Sequence, residues 1–161
     1  MARSKWLTPQ EQRAWRAFLV MQREFGGRIA QATQHDTGLS AADYEVLVNL
    51  SEAPGGRMRA FELGRATQWE KSRLSHHITR MVDRGLVQRE SCPTDSRGAF
   101  VVLTPKGRAA IESAAPTHVE HVRRWFIDSL TSDQLDALAE ISEAITAKLA
   151  EDADQCPPPS C

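Results

Sequence analysis

Apolar residues recur at helical spacing over most of the chain, and the rhythm changes only in the middle. Trp15, Phe18, Leu19, Phe25 and Ile29 fall close to one face of a helix, up to the polar stretch Gln34-His35-Asp36-Thr37-Gly38. Thr8-Pro9-Gln10-Glu11 opens that helix, with an N-cap threonine, proline at the first helical position and glutamate at N3. A second helix is predicted from a Ser40 cap, carrying Tyr44, Leu47, Val48 and Leu50, and Ala53-Pro54-Gly55-Gly56 ends it. After residue 104 the helical pattern returns. Thr104-Pro105 repeats the cap-plus-proline start, and Ile111, Ala115, Val119, Val122 and Phe126 form the predicted stripe. Thr131-Ser132-Asp133-Gln134 is a further capping box, opening a helix with Leu135, Leu138, Ile141, Ile145 and Leu149.

Residues 57–104 behave differently. Ala60 to Ala66 reads as a short helix anchored by Phe61 and Leu63, interrupted at Thr67-Gln68-Trp69. A new helix is predicted from about Glu70 to Arg84, stopped by Gly85. Its apolar back is Leu74, Ile78, Met81 and Val82; its front holds Ser72, His76, Thr79, Arg80 and Asp83, with Arg73 and Ser75 at the margins. Two helices joined by a three-residue turn, the second with a basic, hydroxyl-rich front, make a helix-turn-helix pattern. Then the period becomes that of strands. Leu86 to Cys92 and Ala99 to Leu103 read as a hairpin around the turn-forming run Pro93-Thr94-Asp95-Ser96-Arg97-Gly98, with one arginine near the tip. This hairpin is a wing.

Charge sharpens the picture. The 161-residue chain has a net charge of -1, so any nucleic-acid affinity must be local. From residue 57 to 97 there are nine Lys/Arg against five Asp/Glu, which makes this segment the electrostatic footprint. The fold class expected is mainly α (α+β), a winged helix-turn-helix with flanking helices. Its divisions are an N-terminal arm at 5–37, the DNA-binding lobe at 39–104, C-terminal helices at 105–150 and a disordered tail at 151–161. An uncleaved cytoplasmic chain is expected, since charges at the N-terminus precede no apolar stretch and no run of about 18 apolar residues exists.

Residues 39–108 resemble the MarR family of multiple antibiotic resistance regulators. The matching pieces are Leu39-Ser40-Ala41-Ala42-Asp43-Tyr44-Glu45-Val46-Leu47, the run Ile78 to Arg89, and Asp95-Ser96-Arg97-Gly98 followed by Leu103-Thr104. The run Trp69 to His77 is similar to a branch common among actinobacterial members. The resemblance implies a homodimer whose N- and C-terminal helices interlock, binding palindromic double-stranded DNA, most commonly as a repressor. By matching position, Ser72, Arg73, Ser75, His76 and Arg80 are the major-groove candidates, and Arg97 is the minor-groove candidate, oriented by Asp95. The resemblance also implies an aromatic or phenolic effector between the arms and the DNA-binding lobe. Trp15, His35, Tyr44, Met58 and Trp69 occupy stretches that could line such a cleft, although Trp15 and Tyr44 are equally readable as core.

Other chemistries find little support. A nucleophile with its base and orienting acid, a phosphate-cradling glycine loop and a metal motif are absent from the sequence, so no enzyme is expected. Ser75, His76 and His77 are consecutive on a helix and diverge too far to act together. His118 and His121 stand three apart on a helix without further ligands, so neither metal nor cofactor is expected. Cys92 reads as a small packed thiol, and His77 as a hydrogen-bonded packing residue. The alternative function is a non-specific architectural or protein-contact winged-helix module without an effector.

Overall fold

The computed structural model describes the backbone of residues 6–92 and 95–155, and the side chains of these apart from 92, 95–98 and 153–155. Six helices and three strands follow in the order α1 (Pro9–Thr37), α2 (Ala41–Glu52), β1 (Arg57–Arg59), α3 (Ala60–Thr67), α4 (Lys71–Asp83), β2 (Val87–Cys92), β3 (Asp95–Leu103), α5 (Pro105–Trp125) and α6 (Ser132–Gln155). Contacts divide the chain into a unit ending at His121 and a second unit from Val122 onward, with the boundary inside α5.

In the first unit the core is built from one face of each short element. Val46, Leu47 and Leu50 of α2 meet Leu63 of α3, Leu74, Ile78 and Met81 of α4, and Val87, Val101 and Leu103 of the sheet. The sheet is antiparallel in the order β1-β3-β2, with Arg59 opposite Phe100 on one side and Glu90 opposite Phe100 on the other. β1 was not foreseen from the sequence: three residues, two of them arginine, give no alternation long enough to read. β3 begins at Asp95, earlier than the predicted Ala99, because pairing with β2 continues past Ser91 through an irregularity in register to the Cys92–Asp95 pair. Residues 95–98 of the predicted turn therefore belong to β3.

The helix starts follow their caps. Thr8 and Glu11 form a reciprocal box at α1, as do Ser40 and Asp43 at α2. Thr131 and Gln134 do the same before α6. The turn between α3 and α4 is closed by Gln68, whose φ of 56° is left-handed and costs a non-glycine residue about 1–2 kcal/mol. Hydrogen bonds from the Gln68 amide to the Arg65 carbonyl and from the Trp69 amide to the Gly64 carbonyl hold it there. Thr104 fastens the far end of the lobe. Its hydroxyl donates to the Gly85 carbonyl (2.7 Å) and accepts from the Gly107 amide (3.0 Å), while Lys106 Nζ donates to the Arg84 carbonyl.

Two predicted faces and one predicted boundary differ in the structure. Val82 is exposed at 36%, and the buried place beside Ile78 is taken by His77, one position back along α4. On α5 the inward line is Ile111, Ala114, His118 and His121, spaced by three and four, and Val119 points outward. The His118 ring fills that line by stacking on Tyr44, with centroids 4.3 Å apart. Residues 151–155, assigned to the tail, continue α6. Lys148 there pairs with Asp152 (2.8 Å) one turn on, and helix-favouring residues carry the segment to Gln155. The rest of the predicted tail lies outside the described residues. No described helix is long and apolar enough to cross a membrane.

α1 contrasts with the lobe. Its 29 residues extend roughly 43 Å, yet only Thr33 near its C-terminal end is buried. Trp15, Phe18, Leu19, Val20 and Met21 are each at least 40% exposed, and on α6 so are Ile141, Ile145 and Leu149.

Two predictions follow from this packing. A Cβ at Gly107 would collide with the Leu86 carbonyl and approach Leu103 Cδ1 to 2.9 Å, so Gly107→Ala is expected to cost roughly 1–3 kcal/mol in urea denaturation. Stability should also fall in two stages on acidification. Burial pushes the protonation of His77 and His118 below the ordinary 6.5, so the unfolded chain takes up those protons first and stability declines as pH drops through 6.5. For Asp43 burial opposes ionisation, but hydrogen bonds from Arg84 and Ser40 outweigh it and hold the carboxyl below 3.8. Its contribution is full above that value and is lost below it. Urea midpoints measured from pH 8 to pH 3 check both stages; a flat profile between pH 7 and 5 would contradict the histidine assignment.

Candidate nucleic-acid interface

α4 presents an outward face. Ser72, Arg73, Ser75, His76, Thr79 and Arg80 are exposed, while Leu74, His77, Ile78 and Met81 are buried behind them. All five sequence-predicted α4 residues are thus brought together on one helix and turned outward. Glu70 at the N-cap makes no side-chain capping bond, and the first turn contains Lys71 and Arg73 with no acid, so this end of α4 is electropositive. Serine hydroxyls and arginine guanidinium groups can donate to phosphate oxygens, and arginine can also take guanine bidentately.

The exposed arginines are not loose. The Arg73 guanidinium lies 4.4 Å over the Trp69 ring, and Arg80 Nη2 is 3.1 Å from His77 Nδ1. Trp69 and His77 meet edge to face, with centroids 5.2 Å apart. The other ring nitrogen of His77 is 3.1 Å from Asp43 Oδ1, at ion-pair distance but without the alignment of a hydrogen bond. Asp43 Oδ2 accepts from Arg84 Nη1 (2.7 Å) and from the Ser40 amide (2.9 Å). A single buried carboxylate therefore links the start of α2 to both the middle and the end of α4.

A second link was missed in the sequence. Arg89 on β2 donates to the Ser75 carbonyl (2.9 Å) and the Thr79 hydroxyl (3.0 Å), tying the wing strand to the outward helix. The signal was available: Val87 is buried against the lobe, and period two places Arg89 on the same side of β2. On the other side of the sheet the Arg57 and Arg59 guanidinium groups lie 4.1 and 5.3 Å from the Phe100 ring centre, and Arg57 pairs with Glu90 at 3.5 Å. These cations widen the basic region beyond α4. The predicted wing residues Asp95 and Arg97 fall on β3, and their side chains, like that of Cys92, lie outside the described residues.

The five predicted effector residues do not gather into one cleft within a single chain. Trp15 and His35 are twenty residues apart on α1, roughly 30 Å. Trp69 is a packing residue 9% exposed beneath Arg73, and Met58 is packed against the core from β1. His35 lines a groove with Ser40, whose carbonyl accepts from the Tyr44 amide, but the Tyr44 side chain is not part of its lining. This open groove of about 450 Å³ is lined by Ala30, Gln31, Gln34, His35, Ser40 and Ala41. Asp36 beside it contacts His35 Nδ1 (2.6 Å) and His121 Nε2 (3.3 Å). Among the described residues no group of three or more His, Cys, Asp or Glu is arranged to hold a metal.

Comparison with known proteins agrees with this geometry. Residues 37–98 match the MarR family model. AbsC, a MarR family transcriptional regulator from Streptomyces coelicolor, is 44% identical with a TM-score of 0.86, over 92% of this chain and 99% of that one. Sco3205, a MarR family regulator from the same organism solved in complex with DNA, is 36% identical with a TM-score of 0.87, over 92% and 93%. The transcriptional regulator HosA of Escherichia coli O111:H- is 27% identical over 78% of this chain and 91% of its own. The chain belongs to the MarR family of winged-helix, DNA-binding transcription regulators, which are not enzymes.

Proposed function

We propose that this regulator is a homodimeric, sequence-specific repressor that binds a palindromic operator through α4 and the wing, and that a small aromatic or phenolic effector releases it. The observation that carries the reading is the outward face of α4, basic and hydroxyl-rich over a buried apolar back. An exposed apolar face would have favoured protein contact instead. Ser72, Arg73, Ser75, His76 and Arg80 enter the major groove in this reading, and Arg97 reaches the adjacent minor groove with Asp95 orienting it.

Dimerisation is supported by the apolar side chains of α1 and α6 that their own chain leaves uncovered. At about 25 cal/mol per Å² of apolar area, their burial favours a partner chain. Two-fold symmetry then places the half-sites about one helical turn apart. The effector reading rests on the groove beside His35 and on the neighbouring Tyr44–His118 stack. Trp15 would belong to the dimer arms, and Met58 and Trp69 to the packing around the lobe.

Salt-titrated footprinting on genomic fragments, including the region upstream of the chain's own gene, tests the proposal. A protected palindrome preferred over scrambled DNA by about 10³ or more is the expected result. Even, weak binding to all fragments would favour the architectural alternative. Arg80→Ala and Arg97→Ala should each weaken operator binding about tenfold or more while leaving the dimer intact by sedimentation. Unchanged binding by both would remove the site assignment. A panel of hydroxybenzoic acids added to the footprint checks the effector: loss of protection supports it, and full protection at millimolar concentration opposes it.

A further inference from the structure

Arg73 and Arg80 are seven residues apart on α4, which separates them by roughly 10 Å along the helix axis. That is about the rise of three base pairs. Both are long side chains with many rotamers to lose, and both rest on a buried ring. Trp69 at 9% exposure supports the Arg73 guanidinium, and His77 at 7% accepts from Arg80. The two rings contact each other, and His77 backs onto the Asp43 carboxylate. An arginine hydrogen can be accepted at Nδ1 only when that nitrogen carries no proton, which places the ring hydrogen on Nε2, toward Asp43. Burial keeps the ring neutral against the opposing pull of Asp43, with help from Arg80.

We infer that Trp69 and His77 are positioning residues that aim Arg73 and Arg80 at two separate points of the half-site, so that residues remote from DNA set part of its sequence selectivity. This rests on α4 being the operator-facing helix. A guanidinium already held in place loses less freedom on binding, and its fixed direction discriminates better between a correct and an incorrect base. Trp69 thereby acquires a role beyond packing the turn, and His77 one beyond filling the core.

The test is a pair of double-mutant cycles read on an operator and on fragments with single base-pair changes across one half-site. His77→Leu and Arg80→Ala should each lose about tenfold or more of discrimination at the same base pair, and the double variant should be no worse than Arg80→Ala alone. Trp69→Leu and Arg73→Ala should behave alike at a second position about three base pairs away. Affinity for non-specific DNA should not change for His77→Leu or Trp69→Leu, whereas a merely structural role would lower binding to every fragment. His77→Gln, which retains a carbonyl acceptor, should restore much of the discrimination. The inference is overturned if the paired effects multiply, if all fragments weaken equally, or if removing either ring improves selectivity. Should His77→Leu fail to fold, the Trp69 and Arg73 cycle decides alone, since that stack makes no use of Asp43. Wild-type protein without base-pair preference would sink the operator reading itself; selective wild type with unaffected ring variants would sink only this inference.

Discussion

The lobe that carries α4 depends on one buried carboxylate. Asp43 is 3% exposed, caps its own helix through Ser40, accepts from Arg84 at the end of α4 and stands beside His77 in the middle of it. A charge buried this deeply is tolerable only when it is compensated, and here the Ser40 amide and Arg84 supply hydrogen bonds while His77 stands at ion-pair distance. The same contacts that stabilise the charge therefore fix the angle between α2 and α4. Arg84 completes the arrangement with a further contact to the Gly38 carbonyl (3.4 Å), where α1 ends. A helix that reads DNA must hold its tilt to a fraction of a base-pair rise. Apolar packing of Leu74, Ile78 and Met81 sets its depth, but directional polar contacts set its rotation.

Charge is distributed as unevenly as polarity. The basic surplus is confined to the lobe, while residues 122–161 hold eight Asp/Glu against three Lys/Arg. A phosphate backbone attracts the basic segment and repels the acidic one, even though the whole molecule is near-neutral. Net charge alone would have hidden this, because the two halves nearly cancel.

Much of the architecture was legible because it is encoded locally. Thr8, Ser40 and Thr131 each announce a helix with a partner three residues later, and Gly85 ends α4 at a φ of 72°. The outward residues of α4 could be read from helical period alone. What escaped was encoded at a distance. β1 exists because β3 offers an edge forty residues away, and Arg57-Met58-Arg59 has no period of its own. The inward face of α5 holds two histidines where an apolar stripe was expected, since Tyr44 supplies a ring for His118 to stack on. Trp69 attracted a ligand role because an aromatic residue at a turn is ambiguous in sequence; its surroundings in the lobe, Arg73 above and His77 beside it, are specified by the fold. Val82 misled for the opposite reason: an apolar residue near the end of an amphipathic helix is assigned inward by default.

The bare length of α1 has a thermodynamic consequence. The lobe is held by contacts within one chain, so its folding is unimolecular and indifferent to how much protein is present. Most of α1 buries nothing against its own chain, and an isolated helix gains little in water without such a surface. If a second copy covers it, as proposed, the order of that arm is governed by mass action. In the proposed dimer, dilution would leave each lobe formed while dissolving the frame that holds two lobes at a fixed separation, so the chain's abundance becomes a control variable in its own right.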